Sequence, residues 1–274
     1  MRRTEAMRAI PLAVAMLWPV LTWAAAPVQA CDSASFAIAI DPGHTRANPG
    51  ATSARGVPEA QFNLQLAEVV LSELRRAGFS QAFLTVEGQA SITLPERVER
   101  AEARHARVFL SLHHDSVQPR YLSDWTYEGR PQHYSDRFSG YSLFVSGRSA
   151  EEARSLRMAQ LLGAEFRRRA LVPSLHHAEP IAGENRPLID PVLGIYRFDD
   201  LVVLKRASMP AVLIEAGLIV NRADELQLGS ASFRQTLAEA IAVAVRQFCD
   251  EASAVNRDDE NSPRPPSEKR RSPR

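Results

Sequence analysis

The chain has 274 residues and a formal net charge of +1 at pH 7, because 33 lysines and arginines nearly balance 32 aspartates and glutamates. That balance gives no electrostatic basis for binding nucleic acid. Once its two ends are set aside, about 220 residues remain. This length is enough for one domain with a full hydrophobic core and favours one domain over two.

The first thirty residues have the pattern of a secretory signal peptide. Three arginines occur among the first eight residues, an apolar stretch covers residues 10–26, and small residues occupy the end of the segment. Prolines interrupt the apolar stretch, which makes a permanent membrane span the weaker interpretation. We therefore expect residues 1–30 to be cleaved on export, with the mature protein in the periplasm or outside the cell.

The domain predicted for residues 31–249 is followed by a tail of different composition. Residues 250–274 contain few apolar side chains, several prolines and serines, and charges of both signs. Such a segment cannot bury enough surface to fold, so a disordered tail is predicted. Its basic end could also contact an anionic polymer or lipid.

Two cysteines lie at opposite ends of the predicted domain, Cys31 and Cys249. Export allows a disulfide between them, and Cys31 at the expected cleavage point could instead carry a lipid. Two free thiols are the third possibility.

Apolar runs and helical periodicities alternate along the domain. The runs predict strands, in chain order, at 36–40, 82–86, 108–112, 141–145, 201–204 and 211–214. Helical periods cover 59–77, 94–106, 151–170 and 232–248. This alternation predicts a single α/β domain with a mostly parallel or mixed open sheet of about six strands and helices on both faces.

Two long stretches do not fit this alternation, residues 116–140 and 172–193. Long loops in compact domains are usually functional or disordered, and we expect both to form walls of a groove. The second contains His176 and His177, which are either spare metal ligands or a solvated surface pair.

Polar residues that follow the apolar runs are candidates for chemistry, since ligands of open α/β sheets bind beyond the carboxyl ends of the strands. His44 follows the first strand, two adjacent histidines, His113 and His114, end another, and Glu215 ends the strand at 211–214. Glu59 falls in the first turn of a helix. Each also has a plainer explanation, because Asp-Pro-Gly-His is a common turn and a glutamate suits a helix start.

Two imidazoles and one carboxylate make a catalytic zinc set that leaves a position for water, lowers its pKa and polarises a carbonyl group. A further carboxylate is then needed to move the proton, and Glu215 has the position for it. Successive strand residues face opposite sides, so His113 and His114 cannot both bind one ion.

Separate segments of the chain resemble, in the same order, the zinc-dependent N-acetylmuramoyl-L-alanine amidases of the amidase-3 family. They are Ile40-Asp41-Pro42-Gly43-His44, Glu59 with Asn63-Leu64, Ser111-Leu112-His113, and residues 209–217 with Asn221 beyond. The resemblance implies that His44, Glu59 and His113 are the ligands of one Zn²⁺ ion and that Glu215 is the catalytic acid and base. It implies peptidoglycan as substrate, cleaved between the lactyl group of N-acetylmuramic acid and L-alanine. Asp115, two residues after His113, could position that histidine. In some periplasmic members of the family an inserted segment blocks the metal until a protein partner removes it, and residues 172–193 lie where such control could be added.

Thr45, Asn48 and residues 85–87 depart from the family pattern, which leaves the shape of the substrate loops open. Two alternatives to the amidase are a zinc carboxypeptidase or aminopeptidase acting on wall peptides, and a non-catalytic peptidoglycan-binding protein.

Overall fold

A seven-stranded sheet forms the centre of the protein in a computed structural model that describes residues 31–87 and 92–260. In chain order its strands are β1 (Ile38–Pro42), β2 (Ala82–Leu84), β3 (Val108–Asp115), β6 (Ser142–Val145), β7 (Leu188–Asp190), β8 (Ile195–Arg197) and β9 (Ala211–Leu218). A separate hairpin consists of β4 (Ser123–Tyr127) and β5 (Arg130–Tyr134). The predicted signal peptide and the last part of the predicted tail lie outside the described residues.

The sheet is mixed, with strand order β2-β1-β3-β9-β6-β8-β7. Its first four strands are parallel, β6 is antiparallel to β9 and parallel to β8, and β7 is antiparallel to β8. All five residues of β1 are buried, as are the first five of β3. Continuous apolar runs mark strands that are covered on both faces, which explains why the sequence shows them clearly.

In the described part of the chain six α-helices cover the sheet: α1 (Glu59–Arg76), α2 (Leu94–Ala103), α3 (Glu152–Arg168), α4 (Val202–Arg206), α5 (Arg222–Leu228) and α6 (Ala231–Glu260). On one face α6 packs against α1 and α3, and on the other α2 packs against α4. Alternate strand residues divide accordingly, with Ile38 and Ile40 in the core under α1 and Ala39 in the core under α2. The predicted α/β domain with helices on both faces is confirmed.

Helix α1 begins directly after Pro58 and buries the apolar stripe of Phe62, Leu66, Val70 and Leu74. The stripe fixes the rotation of the helix about its axis. That rotation sets the direction of the Glu59 side chain in the first turn.

The strand predicted at 201–204 is wrong, because Val202–Arg206 is the short helix α4. A run of four apolar residues fits a buried helical turn as well as a strand, and periodicity cannot separate the two. Val203 and Leu204 are buried in the same core as Val98 of α2. The helix end predicted at residue 248 is also wrong, since α6 continues to Glu260 and makes the first part of the predicted tail helical.

Cys31 and Cys249 form a disulfide whose Cα atoms lie 5.3 Å apart. It joins the two ends of the domain, and the backbone N–H of Cys31 also donates to Asp250 Oδ1 across 2.7 Å. Of the three possibilities that the sequence left open for the two cysteines, the structure contains the disulfide. Within the described residues, no helix has the length and apolar character needed to cross a membrane.

Candidate metal centre and active site

The carboxyl ends of β1, β3 and β9 lie side by side at the centre of the sheet. Pro42 pairs in register with Leu112, and His113 pairs with Glu215. Because the three strands are parallel, the residues that follow them open onto the same edge. His44, His113 and Glu215 are thus brought together although they come from distant parts of the sequence.

Glu59 lies between the two predicted histidine ligands. Its Oε2 is 3.0 Å from His44 Nε2, and its Oε1 is 3.0 Å from His113 Nδ1. The backbone N–H of Ala51 and the side-chain amide of Asn63 donate to the same carboxylate, each across 3.0 Å. Burial raises the pKa of Glu59, but the imidazoles of His113 and His44 outweigh it, so that the pKa lies far below its usual value.

His44 has a left-handed backbone conformation, with φ of 64°. This conformation is unfavourable for a residue other than glycine, and such residues cluster at functional sites. Buried Arg97 of α2 holds the turn, donating to His44 O across 2.7 Å and to Pro42 O across 2.6 Å. The same guanidinium pairs with the buried carboxylate of Asp41 at 2.9 Å.

Two glycines allow the histidines to approach Glu59 closely. A Cβ atom on Gly43 would lie 2.3 Å from the His113 ring. A Cβ atom on Gly50, which has φ of +76°, would lie 2.4 Å from Glu59 Oε2 and 2.6 Å from His44 Cδ2. Sequence reasoning missed Arg97 and Gly50 as parts of the site and gave no role to Asn63, which it noted only in the family motif.

His114 points away from this group. It is buried, its Nδ1 lies 2.7 Å from Asn63 Oδ1, and burial lowers its pKa to about 3. The ring of His113, by contrast, lies 5.0 Å from that of His44. Of the two neighbours, His113 is therefore the one whose imidazole reaches Glu59 and His44.

The three residues fit a metal ion by their donor chemistry and spacing. One ligand atom from each of His44, Glu59 and His113 lies within 4.8 Å of the others. Two imidazole nitrogens and a carboxylate oxygen are the donor set of many catalytic zinc sites. The partly exposed imidazoles leave solvent access on one side of the group.

Glu215 stands beside this group on β9. Its Oε2 is buried and has no hydrogen-bond partner among the described residues. Burial, followed by the negative charges of Asp115 and Glu59, raises its pKa well above the usual value for a glutamate. A carboxyl group with a raised pKa holds its proton to a higher pH than an ordinary glutamate, which suits general acid–base chemistry.

Comparison with known proteins agrees with this arrangement. The family profile described as N-acetylmuramoyl-L-alanine amidase, Amidase_3, matches residues 38–247. The chain belongs to this amidase family. The family and the enzyme class predicted from the sequence are confirmed.

The amidase resembles individual members along most of its described length. It is 31% identical over 219 residues to the N-acetylmuramoyl-L-alanine amidase AmiA of Escherichia coli, covering 77% of this chain and 75% of AmiA. It is 27% identical to AmiC of Neisseria meningitidis, of which it spans 52%. The solved catalytic domain of CwlV from Paenibacillus polymyxa superposes with a TM-score of 0.58 at 26% identity, over 78% of this chain and 98% of that domain.

A cavity of about 400 Å³ adjoins His44 in the amidase. Its walls come from the loop after β1 and from the outer side of α1, including Pro49, Gln61 and Leu64. Neither of the segments predicted to form groove walls, residues 116–140 and 172–193, lines this cavity. Residues from both segments, 139–140 and 172, line a separate cavity of about 390 Å³ beside α5. The first of those segments contains the hairpin of β4 and β5, and the second contributes the edge strand β7.

The segment 172–193 instead reaches Asp115 on the far side of the strand ends. His176 is 3% exposed, and His177 Nε2 lies 2.8 Å from Asp115 Oδ2. The interpretation of these histidines as a solvated surface pair is therefore wrong. The expectation that Asp115 positions His113 is also wrong, because His113 Nδ1 is held by Glu59 while Asp115 faces the His176–His177 pair.

Proposed function

We propose that the amidase is zinc-dependent and cleaves the amide bond between the lactyl group of N-acetylmuramic acid and L-alanine in peptidoglycan. The observation that carries the proposal is the position of the Glu59 carboxylate between two imidazoles, with Glu215 in register beside His113. The names of the similar proteins support the choice of bond, since AmiA, AmiC and CwlV are all N-acetylmuramoyl-L-alanine amidases.

His44, Glu59 and His113 would hold the zinc ion. When bound, zinc supplies an activated water and a Lewis acid for the carbonyl group. The hydrogen bonds from Ala51 and Asn63 orient the Glu59 carboxylate. The hydrogen bonds from Arg97 to His44 O and Pro42 O, which we call the Arg97 clamp, orient the turn that carries His44.

Glu215 moves the proton in this mechanism. Its carboxylate accepts the proton of the attacking water and returns it to the nitrogen of the departing alanine. Its raised pKa supports the second half of the task, because the carboxyl group then retains a proton more readily than an ordinary glutamate and can deliver it to a leaving amine.

The proposed substrate requires export, which agrees with the signal peptide predicted for residues 1–30. The enzyme would then act in the periplasm or outside the cell, where the Cys31–Cys249 disulfide is chemically stable. Control by a protein partner acting on residues 172–193 stays a prediction, and an unchanged basal rate after their deletion would argue against it.

Product analysis on purified peptidoglycan tests the proposal directly. Zinc-loaded enzyme should release whole stem peptides with a new amino-terminal L-alanine, and chelation should stop the release until zinc is restored. Release of single amino acids would show a carboxypeptidase or aminopeptidase instead. Binding to peptidoglycan without any new amine would show a non-catalytic wall-binding protein.

A further inference from the structure

A second group of potential metal ligands lies beside the site described above. It consists of Asp115, His176 and His177, each of which offers one ligand atom within 4.8 Å of the others. Asp115 Oδ2 is 2.8 Å from His177 Nε2 and 3.3 Å from His176 Nε2. Both imidazoles therefore turn the same ring nitrogen toward one carboxylate oxygen.

The other ring nitrogen of each histidine, Nδ1, lies within hydrogen-bonding distance of a neighbouring side chain. His177 Nδ1 lies 2.8 Å from Glu184 Oε2, and Glu184 Oε1 in turn accepts from the Gln118 side chain across 2.8 Å. His176 Nδ1 lies 2.9 Å from the hydroxyl of Ser174. An imidazole held at Nδ1 by a carboxylate or hydroxyl, with Nε2 directed inward, has the arrangement of histidines that bind metals.

The group is built into the protein rather than spread over its surface. His176 and Ser174 are each 3% exposed, and the side chain of Glu184 is 7% exposed. The ring of His176 stacks on Phe138, and the ring of His177 packs edge-on against Phe144. Apolar walls of this kind limit solvent around a metal site and hold its ligands in place.

One atom of the group is left without a well-aligned hydrogen bond by side-chain pairing alone. His176 Nε2 is buried and forms no well-aligned hydrogen bond with a described side chain, because Asp115 Oδ2, 3.3 Å away, lies closer to His177 Nε2, at 2.8 Å. A buried polar atom without a well-aligned hydrogen bond destabilises the folded state. A cation between His176, His177 and Asp115 would satisfy all three groups at once.

We propose that Asp115, His176 and His177 form a second metal site, which binds a divalent transition ion of the zinc class. In a tetrahedral site with bonds of about 2.0–2.1 Å, ligand atoms are separated by about 3.3 Å. The Asp115–His176 separation already has that value, and the Asp115–His177 separation needs to open by about half an ångström to match it. Imidazole and carboxylate donors in this number suit zinc better than calcium or magnesium.

Charge favours the same ion. Asp115 and Glu184 place two carboxylates around the imidazole of His177, and a divalent cation compensates both. This second site is independent of the proposed function, because none of its ligands belongs to the group of His44, Glu59 and His113. It lies close to that group, since Asp115 follows His113 by two residues on β3.

Metal content and anomalous diffraction test the proposal. The full-length mature protein, dialysed against buffer with stoichiometric Zn²⁺, should contain two zinc equivalents per chain by mass spectrometry. Diffraction at the zinc absorption edge should show one peak at Asp115 and another at Glu59. His177→Gln and Asp115→Asn should each lose one equivalent, whereas the control His133→Gln, in an exposed histidine of the hairpin, should keep both.

The remaining outcomes are equally decisive. A His44→Gln variant should lose the other equivalent and keep the peak at Asp115, which separates failure of the two sites. A single peak at Glu59 in the wild type, or two equivalents retained in His177→Gln, would overturn the proposal and leave the group as a histidine–carboxylate ion pair. If His177→Gln does not fold, the number and position of peaks in the wild type decide the question.

Discussion

Arg97 donates a hydrogen bond to the backbone carbonyl oxygen of His44 across 2.7 Å, although 53 positions separate the two residues. The bond fixes a turn in which His44 has φ of 64°, a conformation that costs of order 1–3 kcal/mol in a residue with a side chain. Asp41, at the other side of the guanidinium, also accepts from the hydroxyl of Ser111 across 2.8 Å. A buried ion pair is thus used to hold a proposed metal ligand in a strained position.

We expect Arg97→Met to weaken both folding and zinc binding. Removing the guanidinium leaves the Asp41 carboxylate buried without its cation, and breaking a buried pair in this way costs about 3–5 kcal/mol. Urea unfolding and competition with a zinc chelator measure the two effects. The matched control is Arg100→Met in the same helix, which loses a hydrogen bond to Thr85 O and should cost about 1 kcal/mol. Equal losses in the two variants would contradict the clamp.

Gly50→Ala should disturb the metal centre through steric contact. Its new Cβ would lie 2.4 Å from Glu59 Oε2, which forces the carboxylate away from His44. Displacement of a positioned group by about 1 Å can cost about a hundredfold in rate, and we expect a loss of that order in activity together with weaker zinc binding.

Gly129→Ala provides a close control for Gly50→Ala. Gly129 has φ of +74°, against +76° for Gly50, but a Cβ there would meet nothing within 4 Å. Both variants carry similar backbone strain, and Gly50→Ala should lose more folding free energy because its Cβ also displaces the buried Glu59 carboxylate. Only Gly50→Ala should lose zinc and turnover. A similar loss of zinc in Gly129→Ala would mean that strain, and not contact with Glu59, is responsible.

The sequence predicted the positions of His44, His113 and Glu215 because parallel strands place their carboxyl ends at one edge, and apolar runs mark those strands. It could not predict the Arg97 clamp, because an arginine in an amphipathic helix normally faces water and only the packing of α2 buries this one. His176 was misjudged for the same reason. A loop residue is expected at the surface unless a partner such as Asp115 comes from elsewhere in the fold.

Glu215→Gln should abolish turnover while raising the stability of the zinc-free protein. The loss of a positioned acid and base typically costs about 10²–10⁴-fold in rate. The folded pKa of Glu215 lies above the unfolded value of 4.5, so at neutral pH the buried carboxyl group destabilises the folded state, whether it ionises there or keeps its proton. A neutral amide removes that cost, and zinc retention should be unchanged because Glu215 is outside the proposed ligand set.

Turnover on peptidoglycan, zinc content and urea unfolding in the presence of a chelator check these three expectations. Glu99→Gln, on the exposed side of α2, changes the same charge without touching the site and should leave all three measurements unchanged. Activity near the wild-type level in Glu215→Gln would rule out the proposed role of this residue. Reduced stability of that variant without zinc would show that the ionised carboxylate has a favourable partner.

His114 should make folding stability depend on pH in the acidic range. Burial lowers the pKa of its imidazole to about 3 in the folded protein, against an ordinary value of 6.5, so the unfolded chain binds the proton first as the pH falls. The contribution of His114 to stability is complete above pH 6.5 and is lost between pH 6.5 and 3, by about 1.4 kcal/mol per pH unit.

Because carboxylates also titrate in this range, the measurement is the difference between the wild type and His114→Gln. Urea unfolding at several pH values between about 4 and 7, with a chelator present, should give a steeper fall for the wild type, since glutamine does not titrate. The control His105→Gln changes an exposed histidine and should follow the wild-type slope. If the free energy of unfolding fell equally with pH in the wild type and in His114→Gln, the pKa of His114 would not be lowered in the folded protein. The buried imidazole would then need a polar partner for its charged form besides Asn63.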